Sequence, residues 1–248
     1  MPLPFDLSAG AAAILAGIVL LAAFVRGYSG FGFPALVVTS SSLITDPRHM
    51  IPVVIISDLV MTVQQWPSIR RHIDWRRALW LSVGAIAGVP LGLWALAGVG
   101  ADAARALIAG FVLCMCLLLL SGWYLRRRPG DAGHAGAGLV SGIANAAAVG
   151  GLPVVVFFAA QGIGAAAFRA TLVAYFTFLD IWTVPLMNAA GMVGRDTFIA
   201  AALTVPLILV GARAGGKHFL RTSPESFRRF AILLLTCIAT LALGKSIL

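Results

Sequence analysis

Apolar runs of membrane-crossing length recur along this chain, and no other feature constrains its architecture as much. A helix needs about 20 mostly apolar residues to cross the hydrocarbon layer. Residues 11–25 carry no polar side chain, and long apolar stretches follow at 52–66, 78–97, 103–125, 168–190, 198–214 and 230–243. Charged residues make up 11% of the 248-residue chain and hydrophobic ones 60%, whereas a soluble domain is roughly 25% charged. The runs are continuous rather than alternating, which argues against a membrane barrel. The sequence predicts an all-α, polytopic membrane protein.

The net charge of +9 does not point to nucleic acid. The cations fall between apolar runs: Arg70, Arg71, Arg76 and Arg77; then Arg126, Arg127 and Arg128; then Arg213, Lys217, Arg221, Arg228 and Arg229. Cytoplasmic loops accumulate Lys and Arg in this way. Cys114, Cys116 and Cys237 lie inside apolar runs and read as small core hydrophobes. Cys114 and Cys116 do not share a helix face, so no disulfide, metal site or cofactor is expected. The N-terminal segment has an acid and no base, unlike a cleaved signal peptide, so the first apolar run is expected to be retained. Neither a zinc-protease HExxH, a GxSxG elbow nor a Walker A loop is present, and the expectation is a protein that is not an enzyme.

The first apolar region is interrupted at its middle by "RGYSGFGFP", residues 26–34, and a later one by "AVGGLP", residues 148–153. Broken backbone inside a bilayer is tolerated only where protein buries it or where it lines a water-filled cavity. Each break frees N–H groups at the start of the next half-helix, and those groups with the positive end of the helix dipole attract anions. Pro34 and Pro153 suit a first helical turn, where no N–H is needed. Gly30, Gly32, Gly150 and Gly151 would let backbone approach a ligand.

The two breaks sit in matched surroundings. "GFGFPALVV" aligns with "VGGLPVVVF", Pro34 with Pro153, Arg48 with Arg169, Asp58 with Asp180, Asp74 with Asp196, and the glycine pair Gly88 and Gly92 with Gly211 and Gly215. This order predicts a duplication. Residues 1–125 form the first repeat, with a hairpin over 8–44 and helices 52–66, 78–97 and 103–125. A cytoplasmic linker follows at 126–138. Residues 139–248 form the second repeat, with a hairpin over 139–160 and helices 168–190, 198–214 and 230–243. An odd number of crossings per half inverts the second half relative to the first, which is a secondary-transporter architecture. With the basic loops in the cytoplasm, both termini are expected on the opposite side.

"GYSGFGFPALVV", "SGIANAAAVGGLPVVVFF", "GVPLG" and "GARAG" resemble the TauE/SafE family of sulfite and organosulfonate exporters over nearly the whole chain. The resemblance implies a bacterial inner-membrane transporter of small sulfur anions such as sulfite or sulfoacetate, with the bilayer as its surroundings. The alternatives are a passive anion channel or an importer of another oxyanion. A homo-oligomer is compatible with either.

The expected substrate-binding residues are Gly30, Phe31, Gly32, Phe33 and Pro34 at the first break and Asn145, Gly150, Gly151 and Pro153 at the second. Asn145 is either an oxyanion donor or a helix-ending residue. Asp58 and Asp180 lie within apolar runs, where carboxylates are costly and usually functional, so protons are an expected coupling partner. Thr62 and Gln65 share a helix face with Asp58, as Thr177 and Thr183 do with Asp180. Arg48 and Arg169 open long helices and either draw anions to the two entrances or snorkel to headgroups. Arg26 precedes the first break and has no counterpart in the second half, and is either a substrate ligand or a snorkeller.

Overall fold

The computed structural model of the protein describes residues 4–125, 127, 129–219 and the isolated Leu233, Thr236 and Thr240. The helix expected over 230–243 and the bases Arg126, Arg128, Arg221, Arg228 and Arg229 lie outside the described residues, Leu233, Thr236 and Thr240 excepted. All regular structure among the described residues is helical. After a short 3-10 turn at Pro4–Asp6 come α1 (Ala9–Ser29), α2 (Phe33–Ser41), α3 (Pro47–Ile69), α4 (Trp75–Ala97), α5 (Ala101–Leu120), α6 (Asp131–Asn145), α7 (Gly151–Ala159), α8 (Ala165–Ala189) and α9 (Arg195–Phe219). Of these, α1, α3, α4, α5, α8 and α9 are long and apolar enough to cross a membrane. Helices α2 and α7 have 9 residues each, about 13 Å, or roughly half the hydrocarbon thickness.

Burial separates the long helices into two kinds. In α3 and α8, 61% of the span is buried, against 28–44% in the other four. Helices α3 and α8 therefore form the centre and pack on each other, while α1, α4, α5 and α9 surround them. The outer faces carry Val63, Trp94, Leu107, Leu203 and Val210 exposed, side chains suited to lipid.

Close packing is built on glycine. Helix α4 runs along α6, and α1 along α9. A side chain at Gly84 would begin 1.9 Å from the Ala135 carbonyl oxygen, at Gly88 2.3 Å from that of Leu139, and at Gly138 1.9 Å from that of Leu81. In the other pair, a side chain at Gly27 would begin 2.2 Å from the Ala212 carbonyl oxygen, and one at Gly215 2.0 Å from that of Phe24. These glycines let backbones meet, as small residues do where there is no hydrophobic drive between helices in lipid.

The same pairing explains where the expected linker ends. Helix α6 begins at Asp131, inside the 126–138 stretch expected as a loop and before the start expected at 139. "DAGHAGAG" is a helix written in small residues because α4 lies against it.

Polar contacts sort the helix ends. Asp131 is bonded by Arg76 through Nε and Nη2, both at 3.0 Å. Thr171 accepts from the Asp74 amide at 2.9 Å, and Ala160 from the Leu125 amide at 2.8 Å. These contacts gather the end of α5, the starts of α4, α6 and α8, and the ends of α3 and α7 at one end of the bundle, here the basic end. At the other end, Arg105 Nε donates to the Ser42 carbonyl at 2.8 Å, Arg48 Nη1 to that of Val99 at 3.4 Å, and the Phe5 amide to Asp196 at 3.0 Å.

Gly84→Ala places a methyl group against backbone that cannot yield. It should cost about 1–3 kcal/mol, the usual range for overpacking, and lower the thermal unfolding midpoint of the detergent-solubilised protein. Gly110→Ala, where nothing lies within 4 Å, should leave that midpoint unchanged.

Candidate functional site

The two breaks meet between the central helices. Helix α1 ends at Gly30, which adopts φ 81°, and α2 is capped by Gly32 at φ 96°. Both values lie in the left-handed region open to glycine. Pro34 occupies the first turn of α2. At the second break the left-handed residue is Ala148, φ 56°, rather than either glycine. Gly150 serves packing instead: a side chain there would begin 2.4 Å from the Ser141 carbonyl oxygen. Ser141 Oγ in turn donates to the Gly150 carbonyl at 2.5 Å and accepts from Tyr175 Oη at 2.8 Å, holding the second break from behind. Neither α2 nor α7 has a side-chain N-cap, so their N-terminal dipoles are not answered by a capping oxygen.

Between the breaks lies a cavity of ≈ 20 Å³, lined by Gly32, Pro34, Ala35, Asp58, Asn145, Ala148, Val149, Gly151, Leu152, Phe176, Leu179 and Asp180. That is room for about one water. Of the residues expected at the site, Gly32, Pro34, Asn145 and Gly151 line it, together with both acids. Gly30, Phe31, Phe33, Gly150 and Pro153 support the breaks without lining the cavity. The sequence reading missed Phe176; its place one turn before Asp180 on α8 was the available signal.

Arg26 organises the site. It has no exposed surface. Its Nε donates to Asp58 Oδ1 at 3.0 Å and its Nη2 to Asp58 Oδ2 at 2.8 Å, a two-pronged pair. Its Nη1 donates to the Gly30 carbonyl, freed where α1 stops. The guanidinium carbon stands 5.2 Å from the centre of the Phe176 ring, within cation–π range. Arg26 is therefore no snorkeller. A polar residue that is not basic stands at the same place before the second break: Asn145 precedes Pro153 by the same interval as Arg26 precedes Pro34. Asn145 Nδ2 donates to Thr183 Oγ1 at 2.9 Å, and the Thr183 hydroxyl donates to the Leu179 carbonyl at 2.7 Å.

The two acids are unequal. Asp58 is matched to a guanidinium. Asp180, 5% exposed, interacts with Asp58, Arg26 and Asn145, yet its Oδ2 has no hydrogen-bond partner. The constellation thus presents two carboxyls and two uncapped helix N-termini around a water-sized space, with one cation, Arg26, bound to Asp58 without itself lining that space.

The remaining arginines lie apart from one another. Arg48 is not directed at the cavity: its Nη2 is 2.6 Å from Asp46 Oδ2, and Asp46 is also the N-cap of α3. Arg48 holds the carboxyl of Asp46 below its ordinary range against the opposing effect of burial, which is the largest single influence on it. Arg169 lies at the basic end of the first break, where its Nη2 donates to the Gly27 carbonyl at 3.1 Å. Among the described residues no group of three or more His, Cys, Asp or Glu is placed to hold a metal.

The family model described as sulfite exporter TauE/SafE matches residues 15–241, and the chain belongs to that family. No curated protein and no solved structure matches it. With six helices among the described residues long and apolar enough to cross a bilayer, and by its family, it is a membrane transport protein.

Breaking the buried pair from one side should be more damaging than removing it. Arg26→Gln or Asp58→Asn alone leaves an uncompensated charge and should cost about 3–5 kcal/mol. The double substitution should recover much of that loss in chemical unfolding experiments while leaving transport at background.

Proposed function

We propose that the protein exports a small sulfur-containing anion, sulfite or an organosulfonate such as sulfoacetate, across a bacterial inner membrane, with proton movement through Asp180. The observation that carries the reading is the pairing of a satisfied Arg26–Asp58 couple with an unsatisfied Asp180 oxygen between two uncapped helix N-termini. The family contributes the sulfur chemistry. On this reading the two halves are inverted repeats. The matched pairing of α1 with α9 and α6 with α4, and of α3 with α8 at the centre, supports it. The basic end then faces the cytoplasm.

The chemistry follows from counting charges. The N–H groups opening α2 and α7 converge on an oxyanion from two sides, and Arg26 supplies the fixed positive charge. Arg26 is already neutralised by Asp58, so an arriving anion brings an unbalanced negative charge next to Asp180. Like charges at close range in an apolar layer oppose each other strongly. A proton on Asp180 removes that conflict and turns its oxygen into a donor for the substrate. Proton and anion then either travel together or replace each other between conformations; export powered by the pH gradient requires the second. The membrane potential also assists export, by about 2.3 kcal/mol per elementary charge for each 100 mV, inside negative. The water-sized cavity must widen before an oxyanion enters, which is how a gated carrier differs from an open anion channel.

Asp180→Asn keeps the shape and hydrogen bonding of the side chain and abolishes its titration. In proteoliposomes it should still bind substrate and exchange it between equal pools, while uphill flux on an imposed pH gradient falls to background. The same assay run over sulfite, sulfoacetate, taurine, thiosulfate and sulfate identifies the cargo. Full gradient-driven flux in Asp180→Asn would place the coupling elsewhere.

A further inference from the structure

A second polar cavity opens at the basic end. Its volume is ≈ 1030 Å³, and its described lining includes Arg169, Arg213, Lys217, His72, Gln64 and Gln65 and no acidic residue. A concave surface whose described charges are all of one sign concentrates ions of the opposite sign. Two helix faces connect it to the central cavity. Asp58, Thr62 and Gln65 follow each other at helical spacing on α3, and Asp180, Phe176 and Arg169 do so on α8. In each, one end lines the small cavity and the other the large one. The distance along α8 from Asp180 to Arg169 is about 16 Å at the rise of an α-helix.

Arg169 stands at the boundary. Its aliphatic stem presses on the first break, with Cγ 2.7 Å from where a side chain of Gly30 would begin. Its guanidinium donates to the Gly27 carbonyl in the last turn of α1, and it lies near enough to Arg26 for the two cations to repel. One side of Arg169 faces the large cavity, and the other touches the backbone that Arg26 also holds. A guanidinium binds an anion more strongly than it binds a neutral carbonyl oxygen.

We infer that the large cavity is a collecting site for small oxyanions, distinct from the central cavity, and that Arg169 is the ligand that passes them inward by exchanging the Gly27 carbonyl for the anion. The inference rests on the transport reading for its direction but not for the site itself. Anion capture by Arg213 and Lys217 raises the local substrate concentration; transfer to Arg169 frees the end of α1, and with it Arg26. A phosphate-bearing lipid headgroup shares the chemistry, and the test separates the two sources.

The first arm needs no transport. In protein lacking its native cysteines, Ala166→Cys places a thiol in the lining. A sulfonate-bearing methanethiosulfonate should modify it roughly tenfold faster than a trimethylammonium one at low salt, the lower end of electrostatic steering. The preference should shrink as salt is raised and vanish in Arg213→Gln/Lys217→Gln. Equal rates or a cation preference in phosphatidylcholine vesicles overturns the proposal. So does loss of reaction with both reagents on adding phosphatidylglycerol, because a headgroup then fills the cavity. The second arm uses oriented vesicles and sulfite. Arg169→Gln should raise KM roughly tenfold from the basic side and leave KM from the opposite side unchanged, with Arg169→Lys recovering part of the difference. Equal changes from both sides assign Arg169 a purely structural role and overturn the transfer step. If the unmodified protein moves no sulfite, the function proposed above fails; the thiol reaction still decides the collecting site, and the transfer step falls with the transport.

Discussion

A helix that stops inside an apolar layer must find partners for the polar groups it frees, and in this chain one arginine supplies most of them. Arg26 holds the Gly30 carbonyl where α1 ends, grips Asp58 on α3, and lies over Phe176 on α8. A single side chain thereby joins the broken element to both central helices. The arrangement is stable only because all three nitrogens are satisfied, since an unpaired buried cation costs several kcal/mol. The apolar packing of α2 and α7, with Val37, Val38, Val154 and Val155 almost without exposed surface, keeps water from competing for these bonds.

The glycine-packed pairs set what can move. Helix α1 is locked to α9, and α6 to α4, by backbone contacts that admit no side chain. Neither pair can open by small degrees, because close-packed interfaces shift between discrete arrangements. The short helices are held less firmly. They meet each other, α5 and the central helices through side chains, and their N-termini carry no caps. Any widening of the water-sized cavity therefore falls on the breaks and on the α3–α8 contact rather than on the glycine seams.

Much of this could be read from the sequence, and the parts that could not share a cause. Apolar run length fixes the membrane class, and Gly and Pro in matched runs mark both breaks, because these residues change the backbone locally whatever surrounds them. The bounds of α6 could not be read, because "DAGHAGAG" has the composition of a loop and becomes a helix through α4, a partner distant in sequence; tertiary packing overrides propensity. Ala148 adopts a positive φ that composition does not announce. Arg48, legible as an entrance residue or a snorkeller, has as its partner the acid two positions before it, Asp46, which is also the helix cap. Arg26 looked unmatched because Asn145, which stands at the same interval before the other break, does not share its charge. The depth of Asp58 and Asp180 in their runs was legible; their separation into an acid gripped by a guanidinium and one with an unpartnered oxygen depends on which neighbours face them.

That separation bears on why a carrier would keep its central guanidinium occupied. A buried arginine without a partner would be costly to fold and would hold an oxyanion too firmly to release it. One bound to an aspartate offers exchange instead: on the transport reading, the substrate takes over bonds that Asp58 was making, so the number of charge-assisted bonds to Arg26 is nearly conserved. The free energy of binding is then a difference between two strong interactions, small enough that the anion can leave again, as transport demands of any site that must both load and empty. The carboxylate left behind by such an exchange lies beside Asp180, and on the transport reading a proton carried by Asp180 offsets the charge it uncovers. Anion exchange at Arg26 and proton exchange at Asp180 would thus be two descriptions of one rearrangement, and the asymmetry between Arg26 and Asn145 confines it to a single copy of a site that the two breaks build together.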